Sequence, residues 1–250
     1  MMTSYPTIIR PKSIPLLLSE GGGGSITRWN NLLAGWHFDE ASAGSAPVTR
    51  ADVLGVNDLT DNNTTASATG KFSNAANLVA ANNEFFTRAN FPAHGGAFTW
   101  SVWYKAASLG SLACILAKFG TWASTTTEYA LYYSGGVWIF RIFSKTSGFA
   151  DHSVATTDTT NWHNIVATHD DAGDGKVYLY FDGVLSGLTQ NGSVTNVADT
   201  STETLYMGDA KSTLANFNGL LDESHMFIGQ KDAAWVTEMY NSGAGRVYPN

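Results

Sequence analysis

The feature that most constrains the fold is a series of short apolar segments that recurs every 10–20 residues from Leu32 onward, with turn residues between them. The segment FTWSVWYKA places its apolar side chains at every second position: Phe98, Trp100, Val102 and Tyr104. A period of two is typical of a β-strand with one face in the core. No helical periodicity separates these segments, so the pattern predicts antiparallel sheets packed face to face.

Two local signals refine this all-β prediction. Ser134-Gly135-Gly136 separates two aromatic segments, and this turn chemistry predicts a β-hairpin because glycine accepts positive φ. Near the C-terminus, Asp232 can cap a short helix in which Trp235 and Met239 lie on one row. Gly243 suits the position that terminates this helix, which we expect to lie across the edge of the sandwich.

Composition excludes several classes of function. Fourteen basic against 21 acidic residues give a net charge of −7 and argue against nucleic acid as a partner, because phosphate binding needs a concentrated basic surface. No apolar run approaches the ~20 residues of a membrane span. The single cysteine, Cys114, can form no intrachain disulfide and is expected to be a buried thiol. Prolines interrupt the apolar N-terminal stretch, so no signal peptide is predicted and synthesis in a cytoplasm is expected.

Residues 1–25 form a separate region, predicted to be an extended arm that closes in a glycine linker, while residues 26–250 form one domain. Three of the 6 prolines fall in the arm, and proline disfavours a helix there. The arm is too apolar for a free tail, and its candidate docking residues are Ile8, Ile9, Arg10, Ile14, Leu16, Leu17 and Leu18. Two interpretations remain open: the arm lies on its own domain as an edge strand, or it docks on another subunit or partner by strand addition.

Most catalytic motifs are absent from the sequence. There is no G-x-S-x-G, G-x-G-x-x-G, P-loop, H-E-x-x-H or C-x-x-C pattern. The six histidines show no metal-ligand spacing. These observations favour a non-enzymatic protein.

The acidic residues are the one constellation that suggests a ligand. Asp39 ends the first strand, Asp52 and Asn57 lie in the loop after it, and Asp222-Glu223 falls inside a late strand. Neighbours on a strand point to opposite faces, so one of these two acids should point inward and needs a partner there. Calcium, which takes carboxylate and amide oxygens, would serve; the alternative is an acid hydrogen-bonded to the backbone of a turn.

The sequence resembles laminin-G-like jelly rolls of the concanavalin A-like lectin/glucanase superfamily over about residues 29–250. The resemblance lies in LLAGWHFDE, ATGKFSNAANL, NWHNIVATHDDAGDGKVYLYFDGVL, GLLDESHMF and the closing helix. It implies two curved antiparallel sheets and, in most such domains, a non-catalytic role. It also implies a structural calcium at Asp222, with Asp39, Asp52 and Asn57 as weaker ligands.

The glucanase branch of the superfamily uses an E-x-D-x-x-E strand that holds the nucleophile and the acid/base on one face. No glutamate in this chain is followed two residues later by aspartate. The resemblance therefore predicts no glycosidase.

Two functions follow as hypotheses. The arm and the closing YNSGAGRVYP are most similar to versions of this domain encoded by bacteriophages, which predicts a virion surface protein anchored to capsid or tail proteins through residues 1–25. The alternative is a free-standing carbohydrate-binding module that contacts cell-surface glycans through aromatic side chains. Its candidate contacts are Trp103, Trp122, Tyr133 and Trp138. Either protein could form a homo-oligomer.

Overall fold

A computed structural model describes residues 27–41, 44–45, 48–119, 127–146, 148–199, 202–211 and 215–249. The predicted arm, residues 1–25, lies outside the described residues. So do its seven candidate docking residues and Trp122.

The described residues form strands in two antiparallel sheets. The strands are β1 (Leu32–Trp36), β2 (Thr49–Arg50), β3 (Leu59–Asn62), β4 (Ala66–Thr69), β5 (Asn74–Leu78), β6 (Phe85–Arg88), β7 (Ala97–Ser108), β8 (Leu112–Phe119), β9 (Thr127–Ser134), β10 (Val137–Phe143), β11 (Phe149–Ala155), β12 (His163–Asp170), β13 (Val177–Phe181), β14 (Val184–Leu185), β15 (Leu205–Met207) and β16 (Asn218–Ile228). Sheet A has the order β14-β13-β12-β7-β16-β5-β4, with β1 also paired to β16. Sheet B has the order β11-β10-β9-β8-β15-β6-β3-β2. The predicted all-β sandwich is confirmed.

The core lies between the inner faces of the two sheets. Phe98, Trp100, Val102 and Tyr104 of β7 are each at most 1% exposed and belong to one apolar cluster, as the alternation predicts. Burying apolar side chains on both facing sheets supplies the main stabilisation of a sandwich.

The predicted hairpin is present between β9 and β10. Gly135 and Gly136 have φ of 61° and 89°, and such a pair of left-handed residues makes a tight turn that matches strand twist. The turn places Tyr133 opposite Trp138 in the register.

One helix, α1 (Ala233–Tyr240), follows the last strand, and its predicted cap is correct because the Asp232 carboxylate accepts from the Trp235 amide at 2.8 Å. The helix ends earlier than predicted: Asn241 takes the left-handed conformation, with φ of 51°, before Gly243 is reached. Asparagine tolerates this conformation and serves as the cap. No helix among the described residues is long and apolar enough to cross a membrane.

The position predicted for α1 is wrong. Trp235, Val236 and Met239 pack on Phe227 of β16 and on side chains of β12 and β13, so α1 lies over the outer face of sheet A and not across an edge. Aromatic side chains on the outer face of sheet A, Phe227 and Tyr180 among them, provide the apolar surface on which α1 packs. Trp29, in a 3-10 turn before β1, joins the same cluster.

Candidate functional site

Two of the predicted calcium ligands, Asp39 and Asp222, hold the same turn. Asp39 Oδ1 accepts from the Asn74 amide at 2.8 Å, and Asp222 Oδ2 accepts from the Phe72 amide at 2.9 Å. Both acids thus bind the backbone of a turn, the alternative to calcium that the sequence left open.

The second carboxylate oxygen of Asp222 makes no such contact. This atom, Oδ1, is buried and has no hydrogen-bond partner among the described residues. Burial, together with the nearby Glu223 and Asp39 carboxylates, raises the pKa of Asp222 to about 8. A buried oxygen without a partner, beside further carboxylates, is a donor set that a hard cation fits.

The other two predicted ligands lie in a turn of their own. The Asp52 carboxylate accepts from three backbone amides, those of Gly35, Val56 and Asn57, at 2.8, 3.2 and 2.9 Å. The Asn57 side-chain amide donates to the Leu33 carbonyl at 3.2 Å. Three amide donors bind the Asp52 carboxylate, so backbone groups already take up most of its capacity to accept.

The alternation of a regular strand predicts that one of Asp222 and Glu223 points inward. Both residues are at most 1% exposed. The pairing with β7 is irregular between Asp222 and His225, and Glu223 has a φ of 45°. A β-bulge breaks the alternation of side chains, which lets both acids be buried.

The bulge brings Glu223 against two histidines that the sequence analysis did not select. His37, Glu223 and His225 each offer one potential ligand atom, and these atoms lie within 4.8 Å of one another. Burial raises the pKa of Glu223 and lowers that of His225 to about 3. The available sequence signal was the spacing of Glu223 and His225, two positions apart, which would place both on one face of a regular strand.

A second buried cluster joins His94, Glu128 and Asp199. The Lys118 ammonium lies 2.8 Å from Glu128, so a protein cation already pairs with that carboxylate. Burial lowers the pKa of His94 to about 4, which keeps the ring neutral. This arrangement is an internal ion pair.

The described aromatic residues predicted to contact a glycan lie in the interior. Trp138 is fully buried, and Trp103 and Tyr133 are 3% and 5% exposed. Tyr240 stacks on Trp103 at 5.8 Å between ring centres, which covers the outward face of that side chain. None of the three rings offers a free face to a sugar, because α1 covers one and the core encloses the others.

An exposed aromatic residue lies elsewhere, on the outer face of sheet B. Phe149 of β11 is 42% exposed, and the Arg141 guanidinium of β10 lies 3.9 Å from the centre of its ring. Arg141 Nε donates to Asp151 Oδ2 at 2.9 Å, and a second guanidinium nitrogen donates to the same oxygen. Asn191 donates to Asp151 Oδ1 at 2.8 Å and completes the group. We call Phe149, Arg141, Asp151 and Asn191 the β11 patch.

The rest of this face is partly covered. Across β8 and β9, side chains from the segment around Ala210 and Ala215 pack on Cys114, Ala130 and Tyr132. Among the described residues this cover ends before the β11 edge, where Phe149 is exposed and Ile139 is half-buried. The outer face of sheet B is therefore open at the β11 patch.

A groove of ≈ 320 Å³ lies near the same edge, between β11 and the β13–β14 hairpin. Its walls are mainly apolar: Val154, Ala155, Phe181, Val184, Leu185, Ser186, Gly187 and Leu188. The Ser186 hydroxyl donates to the Ser153 carbonyl at 2.6 Å. Ser186 is the one polar side chain in this lining, whereas the β11 patch has three charged or amide side chains.

Solved structures of low sequence identity share the fold. The binding domain of Paraclostridial Mosquitocidal Protein 1 superposes with a TM-score of 0.68 at 14% identity, over 86% of this chain and 53% of that one. The binding domain of Botulinum neurotoxin DC in complex with SialylT gives 0.63 at 11%, over 85% and 51%. This chain thus spans about half the length of the toxin binding domains.

A smaller domain matches along nearly its whole length. Domain 4 of AbnA, a GH43 extracellular arabinanase from Geobacillus stearothermophilus in complex with arabinotriose, gives a TM-score of 0.56 at 16% identity. The alignment covers 83% of this chain and 97% of that domain. No curated protein sequence matches the chain.

Sequence comparison with family models assigns residues 74–237 to Laminin_G_3, described as the concanavalin A-like lectin/glucanases superfamily. The match covers more than half of the 250 residues and agrees with the two antiparallel sheets of the structure. The chain belongs to the Laminin_G_3 family of the concanavalin A-like lectin/glucanase superfamily.

Proposed function

We propose that this chain is a non-catalytic carbohydrate-binding domain that contacts sugars through the β11 patch. The observation that carries the proposal is the exposed Phe149 ring beside a fixed Arg141–Asp151 pair. Sugars present an apolar C–H face and ordered hydroxyl groups, and an aromatic ring beside fixed donors and acceptors complements both. The fold shared with domains solved with SialylT and arabinotriose supports this choice of ligand class.

The patch is preorganised for such a ligand. Asp151 holds the guanidinium of Arg141 and is itself held by a hydrogen bond from Asn191, and the Arg141 side chain is only 23% exposed. Groups that are already fixed lose little conformational entropy on binding. Weak, reversible binding to an extended glycan is the expected behaviour of so shallow a surface.

Trp122 lies outside the described residues and stays a predicted glycan contact, on its sequence alone. Trp122→Ala is therefore measured in the same assays as the variants of the β11 patch, and we expect it to weaken binding.

The test is a glycan array followed by calorimetry with the sugars that bind, with arabinotriose and a sialylated oligosaccharide as first probes. Phe149→Ala and Arg141→Ala should each weaken binding about tenfold or more, equivalent to ~1.4 kcal/mol. Leu185→Ala, in the groove, is the matched control and should leave binding unchanged. Absence of binding to every glycan at millimolar concentration, or equal binding by Phe149→Ala and the parent, would contradict the proposal.

Calcium binding at Asp222 and Asp39 forms part of the proposal. The ion would neutralise the buried carboxylate and lock the turn at Phe72–Asn74 to β16. Calcium at 100 times its dissociation constant should add ~2.7 kcal/mol to stability. Asp222→Asn should abolish this response. Asp52→Asn should lower stability but keep the response, since we place Asp52 outside the site; an unchanged melting temperature of the parent in calcium would refute the site.

We propose separately that the protein is displayed on a virion surface. This proposal rests on the apolar arm at residues 1–25 and on the resemblance to domains encoded by bacteriophages. Deleting residues 1–25 should leave a folded domain that no longer sediments with particles. Normal particle association of the truncated chain would refute the arm as the anchor and leave the carbohydrate proposal intact.

A further inference from the structure

Three potential metal ligands lie close together where β1 pairs with β16 in sheet A. His37 follows β1, and Glu223 and His225 belong to β16. The register pairs Gly35 with His225 and Trp36 with Ser224, which brings residues nearly two hundred positions apart into contact. One potential ligand atom from each side chain lies within 4.8 Å of the other two.

One of the two separations within the cluster matches a tetrahedral ion, and the other is a short hydrogen bond. His37 Nδ1 lies 2.6 Å from Glu223 Oε1, and His225 Nε2 lies 3.5 Å from Glu223 Oε2. Ligands bound to zinc at ~2.0–2.2 Å lie roughly 3.3–3.5 Å from one another in a tetrahedron. The His225–Glu223 separation already fits zinc, whereas zinc would replace the His37–Glu223 hydrogen bond and move these two atoms apart.

The cluster has polar atoms that the described protein does not satisfy. His225 and Glu223 are each 1% exposed, and neither His225 Nε2 nor Glu223 Oε2 has a hydrogen-bond partner among the described residues. Buried polar atoms are normally paired, so each such atom requires an explanation. A bound cation would satisfy both atoms at once.

The surroundings hold the ligands in place. The Trp29 ring lies 5.1 Å from the His225 ring and packs edge-on against the Tyr248 ring at 5.3 Å. A Cβ on Gly35 would lie 2.6 Å from His225 Cδ2, so the glycine leaves the space that the ring occupies. Such fixed outer contacts are what keeps metal ligands oriented.

The ligand types select the ion. Imidazole is a poor ligand for calcium, which prefers oxygen, whereas two imidazoles and one carboxylate suit zinc. We propose that His37, Glu223 and His225 bind one Zn²⁺ ion as three protein ligands. The centre stabilises the junction of β1 and β16 and shares no ligand with the calcium site at Asp39 and Asp222.

The test uses the full chain, freed of metal by chelation and then titrated with Zn²⁺ by calorimetry. One ion per chain is expected, and zinc at 100 times its dissociation constant should raise Tm by roughly 5–10 °C. Co²⁺ in place of zinc should give the intense visible absorption of a tetrahedral site. Excess Ca²⁺ should not displace either ion.

Two variants assign the ligands. His37→Gln should reduce zinc affinity at least a hundredfold and abolish the cobalt spectrum. His163→Gln is the matched control, since His163 is 9% exposed against 8% for His37 and also contacts carboxylates, and it should bind zinc normally. The proposal is wrong if the parent chain shows no tetrahedral cobalt spectrum, an outcome that needs no variant, or if the folded His37→Gln chain binds zinc like the parent.

Discussion

The outer face of sheet A is covered by other parts of the chain, whereas that of sheet B is open along its β11 edge. On sheet A, Thr99, Ser101 and Trp103 point away from the core but are at most 3% exposed. On sheet B, Phe149 occupies an equally outward position and is 42% exposed. Both faces carry aromatic side chains, so composition does not distinguish them.

The difference comes from the two ends of the described chain. The turn at Trp29 and helix α1 pack on Phe227 and exclude water from the outer face of sheet A. Because water is excluded there, a polar group beneath the Trp29 turn or α1 lowers stability unless it is paired. We therefore infer an internal metal centre on the covered face and external ligand binding on the open one.

The largest effect should come from uncovering sheet A. Trp235 packs edge-on against Phe227 at 5.0 Å and donates from its indole nitrogen to the Arg28 carbonyl at 2.8 Å. Trp235→Ala should lower the free energy of unfolding by ~3–5 kcal/mol. Phe149→Ala on the open face should cost about 1 kcal/mol or less. Urea denaturation measures both, and equal losses would show that the two faces do not differ energetically.

A smaller effect should follow from crowding the buried junction on sheet A. Gly35→Ala places a methyl group against the His225 ring and should cost ~1–3 kcal/mol. The control is Gly187→Ala, whose Cβ would meet nothing within 4 Å, and it should change stability by no more than ~0.5 kcal/mol. A Gly35→Ala variant as stable as the control would contradict the close contact between Gly35 and the His225 ring.

The end of sheet A near β12 should show a pH dependence. His163 Nδ1 bonds to Asp182 at 2.8 Å and its Nε2 lies 3.2 Å from Asp158, and these carboxylates raise the pKa of His163 above its ordinary value near 6.5. A raised folded-state pKa gives stabilisation that is complete below the unfolded pKa and lost as pH rises through the folded one.

Each tenfold difference in proton affinity between the folded and unfolded states is worth ~1.4 kcal/mol of stability. His163→Gln should therefore be less stable than the parent at pH 5, with the difference shrinking toward pH 9. Denaturation curves from pH 5 to pH 9 measure this difference. A stability difference that stays constant with pH would contradict the raised pKa of His163.

The smallest effect on stability is expected at the exposed ion pair that joins the turn at Trp29 to α1. Arg28 forms an ion pair with Glu238 on α1, whose side chain is 41% exposed. Arg28→Ala should cost about 0–1 kcal/mol, because solvent screens exposed pairs. The loss should vanish at about 1 M salt, where the screening length is roughly 3 Å. A loss that is independent of salt would mean that packing and not charge holds this edge.

Local features were predictable where one strand or one turn decides them. The alternation around Trp100, the hairpin at Gly135 and the cap at Asp232 all follow from neighbouring residues. The four predicted calcium ligands lie at two different turns and not at one site. Their positions depend on pairing between strands that are distant in the sequence. Trp103 illustrates the same limit, since the sequence shows that it points outward but not that Tyr240 will cover it.

The sequence by itself determined the strongly apolar strands and the antiparallel class, because the period of the apolar pattern and the turn residues act over a few positions. The family followed from the resemblance of several motifs to laminin-G-like domains. Only the tertiary structure decided which face is covered and which side chains meet. His37 and Glu223 are 186 residues apart and touch because β1 pairs with β16 and a bulge turns Glu223 toward it. Burial and proximity depend on contacts between distant segments, which a local pattern does not encode.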